Sequence, residues 1–143
     1  MLEVRVAQSE EDYQKCLCVE FCCHSVILEI MRGMVRDAVD WENAYLAEED
    51  GQTVGYACLA QWDEKTVMVY ALEVLPNAER VKVVSKILRK IEEVLLIQGE
   101  EIEAILLQVF SDDLAVLRQV AQLGYEYKTQ LGEAYLVEKT LTR

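Results

Sequence analysis

A basic segment is the first feature of this 143-residue sequence that indicates chemistry. Between positions 80 and 90 it carries five cations and no acid: Arg80, Lys82, Lys86, Arg89 and Lys90. The first three lie where a helix is predicted to begin, and the positive end of a helix dipole disfavours each cation there by roughly 0.3 kcal/mol or more. A bound phosphate would remove that conflict, because free N–H groups at a helix start bind anions. A solvated basic face that pairs with neighbouring acids is the alternative, and the pattern alone leaves both open.

A second cluster of reactive groups combines thiols with the only histidine of the chain. Cys16, Cys18, Cys22 and Cys23 fall within eight positions, and His24 follows directly. Thiolates and imidazole are ligands that zinc accepts, but the spacing lacks a C-x2-C pair and lies in a predicted helix. At helical spacing Cys18 and Cys22 share one face, and Cys16 and Cys23 share another. We therefore expect reduced thiols on an amphipathic helix, with no metal and no covalent catalysis.

The elements that must position these groups follow from hydrophobic periodicity and turn signals. A capping box at Ser9 and Asp12 opens a helical stretch to about Val39. We expect two helices there, with the break near Ser25, Gly33 or Asp37–Asp40. Further helices are predicted over 79–98, ending before Gly99, and from a cap at 111–113 to Gly124. Apolar residues predict that the helix over 79–98 packs through Val81, Val84, Leu88, Ile91 and Leu95.

Strands alternate with these helices along the chain. They are predicted over 2–6, 44–49, 54–60, 66–75, 103–110, 125–129 and 134–141, with a hairpin turn at Asp50-Gly51. The order β, α, α, β, β, β, α, β, α, β, β predicts an α/β domain with a mixed sheet over residues 1–143. We expect this sheet to splay after the strand that ends at Leu75.

Composition and charge exclude several classes of protein. Fourteen basic and 26 acidic residues give a formal net charge of −12, which disfavours nucleic-acid binding. No apolar run reaches the roughly 18 residues of a membrane span, and the first residues lack the basic and apolar regions of a signal peptide. We expect a cytoplasmic protein that binds neither nucleic acid nor membrane.

Several short motifs, taken in order, resemble those of the GNAT superfamily of N-acyltransferases. Val74-Leu75-Pro76 resembles the V-x-P that ends the family's fourth strand, and Leu123-Gly124-Tyr125 resembles its L-G-F. Gly55-Tyr56 stands where the family often has G-F, and residues 135–141 are similar to its last strand. The resemblance extends over nearly the whole chain. It implies a GNAT-like, mostly antiparallel central sheet flanked by helices on both faces.

The resemblance also implies a reaction, the transfer of an acetyl group from acetyl-coenzyme A to a primary amine by direct attack. The acceptor would be a small-molecule or peptide amine, no metal would be needed, and a homodimer is compatible with the sequence. Glu73 or water would take the proton of the amine, and Tyr70 and Tyr125 are candidate acids. The residues implied for coenzyme A are Val74, Leu75, Arg80, Val81, Lys82, Val83, Val84 and Ser85.

The sequence departs from the family at the loop that cradles the pyrophosphate. The family pattern is R/Q-x-x-G-x-G/A, and the best match begins at Arg80, with Val83 and Ser85 at the glycine positions. A β-branched valine crowds a backbone that phosphate must approach closely. A compressed alignment places Lys82 and Val84 there instead, and the family's tyrosine acid falls on Val120. A non-catalytic GNAT-fold binding or regulatory module is therefore the alternative.

Overall fold

Seven strands and four helices make up the parts of the chain that the computed structural model describes, residues 1–24, 29–98, 101–110 and 112–142. The strands form one sheet in the order β1-β2-β3-β4-β5-β7-β6. Their bounds are β1 Leu2–Val6, β2 Ala44–Glu49, β3 Gln52–Asp63, β4 Thr66–Val74, β5 Ala104–Phe110, β6 Glu126–Leu131 and β7 Ala134–Thr140. The helices are α1 Glu10–Cys23, α2 Glu29–Asp40, α3 Arg80–Gln98 and α4 Leu114–Gln122.

The order and type of the elements confirm the predicted mixed α/β architecture. Every neighbouring pair in the sheet is antiparallel except β4 and β5, which run parallel and are connected through α3. A parallel pair needs such a crossover, because the chain must return to the same end of the sheet. Among the helices of the described parts, none has both the length and the apolar composition that crossing a membrane requires.

Alternation along the strands divides the buried side chains between the two faces of the sheet. In β2, Tyr45 and Ala47 join the core beneath α3 and α4, while Leu46 joins the core beneath α1 and α2. Successive side chains of a strand point to opposite faces, so one strand contributes to both layers. The helices therefore lie on both faces, as the resemblance implies.

The two helix caps and the hairpin turn predicted from local sequence signals are present in the structure. Ser9 Oγ accepts a hydrogen bond from the Asp12 N–H at 3.2 Å, which starts α1. Asp50 and Gly51 have φ values of 53° and 82°, the left-handed conformations that a tight hairpin turn needs. Asp113 Oδ1 accepts from the Val116 N–H at 3.3 Å at the start of α4. The predicted breaks or caps at Ser25, Gly99 and Ser111 lie outside the described residues.

The buried face of α3 differs from the predicted stripe at its first residue. Val81 is 56% exposed, whereas Val83 and Ile87 are buried together with Val84, Leu88 and Ile91. The difference has a tertiary cause, since the first turn meets the sheet at Gly55. A Cβ built on Gly55 would lie 3.0 Å from Val83 Cγ1, so this glycine allows the helix to approach the strand closely.

The parallel pair of strands separates before either strand ends. Only Thr66–Val69 of β4 pair with residues 104–107 of β5, and both strands then continue without each other. The divergence begins at Tyr70, earlier than the expected position after Leu75. Tyr70 is an extra residue in the ladder, because Cys58 pairs with Ala71 and Leu59 pairs with Val69. Such a bulge bends its strand and redirects the residues that follow.

Candidate active site

A cavity of about 970 Å³ fills the opening between the diverging strands. Its walls come from the outer half of β4, the end of β5, the starts of α3 and α4, the end of α1 and, through Met31 and Met34, α2. Six of the described elements therefore meet around one space. A smaller cavity of about 300 Å³ lies beside Lys128 and Lys139 and contains none of the predicted site residues.

The outer half of β4 presents its main chain to the large cavity. The Leu75 N–H donates to the Val54 carbonyl at 2.8 Å, on the side of β3. Because backbone groups alternate in direction along a strand, the N–H and C=O groups of Leu72 and Val74 face the side from which β5 has diverged. The Val74 carbonyl accepts a hydrogen bond there from Cys23 Sγ at 3.3 Å. An exposed strand edge of this kind binds extended ligands through main-chain hydrogen bonds.

The start of α3 adds a guanidinium group to the cavity, next to N–H groups that precede the hydrogen bonds of the helix. The Val83 N–H donates to the Glu79 carbonyl, so the N–H groups of residues 80 to 82 precede the first hydrogen bond of the helix. Arg80 lines the cavity and forms an ion pair with Asp113, the cap of α4. This pair connects the elements that follow β4 and β5. It lies where an anion would bind the helix start.

The structure divides the other implied coenzyme A residues between cavity, core and surface. Four of the eight line the cavity: Val74, Leu75, Arg80 and Val84. Lys82 reaches Glu49, with Nζ and Oε2 3.8 Å apart. Ser85 Oγ accepts a hydrogen bond from Gln119 Nε2 at 2.9 Å. Val81 is exposed and Val83 is buried against Gly55, so the valine that meets the cavity is Val84.

Glu73 lies in the same cavity, at the centre of a cluster that the sequence analysis did not assemble. His24 Nε2 lies 3.1 Å from Glu73 Oε1 and 3.8 Å from Glu20 Oε2. Glu20 and His24 are four residues apart near the end of α1, so they share a helix face. That spacing was visible in the sequence, but the approach of this face to β4 depends on tertiary packing. We call these residues the Glu20–His24–Glu73 cluster.

Burial and mutual contact shift the titration of the cluster. The hydrogen bond to Glu73 raises the pKa of His24, and the charge of Glu20 adds to this. Burial raises the pKa of Glu20, which is 5% exposed, and the charge of Glu73 raises it further. Glu20 Oε2 has no hydrogen-bond partner among the described residues. The two carboxylates therefore share one imidazole as their counter-charge.

The remaining candidate groups fit supporting roles better than chemical ones. Burial raises the pKa of Cys23 to about 11, so its thiol stays protonated near neutral pH. Tyr70 lines the cavity, but its hydroxyl donates to the Met34 carbonyl at 3.0 Å. Tyr125 is 3% exposed in the core beneath α3 and α4, and Val120 is buried beside it.

The cluster is also the place where a metal ion would find ligands. Its three donor atoms lie within 4.8 Å of one another and include the carboxylate and imidazole types that divalent metals accept. The imidazole of His24 already contacts both carboxylates, however, so a metal ion would compete with these contacts. All five cysteine thiols are free. That the protein needs no metal stays a prediction.

Comparisons with known proteins agree with one another. A family model described as acetyltransferase (GNAT) family matches residues 10–125. A GNAT-family acetyltransferase from Bacillus cereus superposes with a TM-score of 0.82 at 13% identity, covering 100% of this chain and 99% of that one. The ribosomal-protein-S18-alanine N-acetyltransferase of Escherichia coli gives 0.80 at 14% identity, covering 100% and 96%.

A third similar structure was solved with a bound ligand. The PaiA N-acetyltransferase of Thermoplasma acidophilum, in complex with coenzyme A, has a TM-score of 0.71 at 16% identity, covering 98% of this chain and 99% of that one. No curated protein sequence matches significantly. At such low identities the solved structures show a shared fold, and the family model carries the assignment of the chain.

Proposed function

Because the chain belongs to the GNAT acetyltransferase family, we propose that it transfers an acetyl group from acetyl-coenzyme A to a primary amine by direct attack. The supporting observation is the cavity at the divergence of β4 and β5. It combines a strand edge, a helix start with Arg80, and a carboxylate at Glu73. These are the groups needed to hold an extended thioester, bind its phosphates and assist loss of a proton.

The residues at the cavity fit coenzyme A in type and placement. Arg80 and the N–H groups at the start of α3 suit the pyrophosphate, since charge-assisted contacts bind phosphate well. The edge of β4 at Leu72 and Val74 suits the pantetheine arm, which carries amide groups. Val84 lines the cavity where the family pattern, in the compressed alignment, has a small residue, so we expect weaker binding than a glycine loop gives.

The chemical step needs stabilisation of charge on the thioester oxygen and removal of protons from the amine. In the transfer, a C–N bond forms to the carbonyl carbon and the C–S bond breaks. The Val74 N–H faces the cavity and would donate to the oxygen on which negative charge develops. Glu73, on the same strand, would assist removal of a proton from the acceptor ammonium.

The charge of the cavity favours a cationic acceptor. Glu20, Glu73 and Asp112 line it, and Arg80 is paired with Asp113. Carboxylates attract cations, so Glu20 and Glu73 favour a positively charged acceptor on their side of the cavity. We propose a small-molecule or peptide amine that approaches as the ammonium form. The E. coli neighbour is named for an alanine of a ribosomal protein, which supports including peptides among the acceptors to be tested.

The test is acetylation of a panel of small primary amines and short peptides in the presence of acetyl-coenzyme A. Mass spectrometry should detect a product heavier by one acetyl group, with release of coenzyme A that depends on the amine. Calorimetry with coenzyme A should show heat of binding that decreases with ionic strength. Absence of both heat and thermal shift at millimolar coenzyme A would overturn the proposal. Binding without acetylation of any acceptor would favour a non-catalytic module instead.

A further inference from the structure

His24 lines the cavity and contacts both carboxylates of the Glu20–His24–Glu73 cluster. We propose that His24 accepts the proton of the acceptor ammonium, and that Glu73 and Glu20 are positioning residues that orient and charge-stabilise its imidazole. The inference rests on the proposed function and names the group that carries the proton. It assigns a role to a helix residue that the resemblance leaves without one.

The contact with Glu73 determines which ring nitrogen is available. An ionised carboxylate only accepts hydrogen bonds, so the 3.1 Å contact requires the proton of neutral His24 to lie on Nε2. The lone pair then lies on Nδ1, to which no described residue donates. Nδ1 is therefore the proton acceptor. This arrangement, with a carboxylate behind an imidazole, fixes both the tautomer and the orientation of a base.

Glu20 supplies a second, buried charge behind the same nitrogen. Oε2 of Glu20 is buried and accepts no hydrogen bond from the described residues, and it lies 3.8 Å from His24 Nε2. A buried carboxylate is stabilised by a cation beside it, and protonated His24 is such a cation. Protonation of His24 therefore satisfies both Glu20 and Glu73 at once. The imidazole is a stronger base in this place than in water.

The other titratable groups that face the cluster do not supply a competing charge near neutral pH. Cys23 on α1, Tyr56 on β3 and Tyr70 on β4 are protonated there, because burial raises the pKa of each above its ordinary value. Cys22 adjoins Cys23 on the exposed side of α1. Arg80, the cation across the cavity, is paired with Asp113.

The two protons of the reaction follow separate routes. The ammonium gives its first proton to Nδ1 of His24, whose side chain is 46% exposed and passes the proton on to solvent. The neutral amine then attacks the thioester carbon, so that the C–N bond forms and the C–S bond breaks. The second proton leaves the nitrogen and ends on the sulfur of coenzyme A. One ammonium and one thioester thus give one amide, one thiol and one released proton.

The first experiment follows the imidazole signals of the single histidine by NMR as a function of pH, and it needs no substrate. We expect the wild-type pKa of His24 to lie above the ordinary value of histidine, because of the hydrogen bond to Glu73, and to fall in Glu73→Gln and in Glu20→Gln. Glu126→Gln, an exposed substitution on β6, should leave the signal unchanged. An unshifted pKa in wild type, or no response to either cluster variant, would overturn the positioning roles.

The second experiment measures steady-state rates with the best acceptor. His24→Gln should lower kcat about 100-fold or more while KM for acetyl-coenzyme A stays within a few-fold. In wild type kcat/KM should rise with pH as His24 loses its proton, and this limb should disappear in His24→Gln but persist in Cys22→Ser. A variant that keeps both rate and limb would overturn the role of His24.

Failure of this inference is distinguishable from failure of the proposed function. A wild-type protein that acetylates no amine refutes the function, and the NMR titration still decides the cluster. Addition of Zn²⁺ or Mn²⁺ tests the remaining alternative, a metal site at the cluster. Stoichiometric shifts of the histidine signals by Zn²⁺ in the micromolar range, lost in Glu20→Gln, would overturn the proposal in favour of a metal site.

Discussion

Arg80 illustrates how one residue can serve two partners at the mouth of the cavity. Its guanidinium is paired with Asp113 across the gap between the starts of α3 and α4. A phosphate bound at the same helix start would share or replace this partner. In the proposed function the carboxylate would both orient the guanidinium and compete with the phosphate for it.

Replacing Arg80 tests this anion site directly. Arg80→Ala should weaken coenzyme A binding about 10- to 100-fold, because one charge-assisted contact of roughly 1.5–3 kcal/mol is lost. Lys86→Ala, on the same helix but away from the cavity lining, is the matched control and should change affinity less than about two-fold. Calorimetry at low and moderate salt measures both. Equal losses in the two variants would indicate a diffuse electrostatic effect and no defined site.

Two adjacent valines allow the effect of side-chain bulk on coenzyme A binding to be distinguished from its effect on the stability of the core. Val83 and Val84 are both 1% exposed, but only Val84 lines the cavity. Val84→Ala should tighten coenzyme A binding, while Val83→Ala should leave the affinity unchanged. Both should lower the free energy of unfolding by roughly 1–3 kcal/mol through lost burial. Denaturant unfolding and calorimetry on the two proteins check this, and tighter binding by Val83→Ala alone would reverse the assignment.

Elements with local signals are those that the sequence predicts well. Ser9, Asp113 and the Asp50-Gly51 turn are specified by side chains within a few residues of the backbone they fix. The face of α3 and the point of divergence at Tyr70 are not, because each depends on contacts with a distant strand. The same difference applies to the candidate site. The resemblance singled out Glu73, but the role of His24 could not be predicted, because its contact with Glu73 joins residues 49 positions apart.

The start of α1 carries a charged contact that should give the fold a measurable pH dependence. Asp12 accepts two hydrogen bonds of 2.8 Å from Arg5 and one of 2.9 Å from the Gln8 N–H. These contacts hold the pKa of Asp12 well below its usual range, with the Arg5 hydrogen bond as the largest cause. A carboxyl with a depressed pKa stabilises the folded state above its ordinary pKa, and this contribution is lost as pH falls through the folded-state value.

Asp12→Asn should therefore lower the free energy of unfolding by roughly 1–3 kcal/mol at pH 7. The difference from wild type should shrink as the pH is lowered below about 4. Glu11→Gln is the control, because Glu11 is exposed and its ion pair with Lys15 is long, at 3.8 Å. Urea unfolding between pH 7 and pH 3 gives both curves. A difference that grows toward low pH would contradict the assigned sign.

At the scale of the whole molecule, the fold was more predictable than the site. The order of strands and helices follows from periodicity, and the mixed sheet follows from that order together with the resemblance. The candidate site lies where two strands part, and its residues come from α1, α2, β4, β5, α3 and α4. No short segment contains enough of it to be recognised, and the altered loop at residues 80–85 removes the usual local signal.

The early parting of β4 from β5 has a consequence for the exchange of amide hydrogens with deuterated water. Val67 and Val69 lie in the paired half of β4, whereas Leu72 and Val74 turn their amides toward the opening. Within β4, in the middle of a seven-strand sheet, we therefore expect a sharp change in amide exchange rate at Tyr70. Exchange should be slow before Tyr70 and fast at alternate amides after it. Saturating coenzyme A should slow the fast amides and leave the slow ones unaltered. The amides of this central strand would then exchange as fast as those of an edge strand in the free protein, and become protected when the ligand binds.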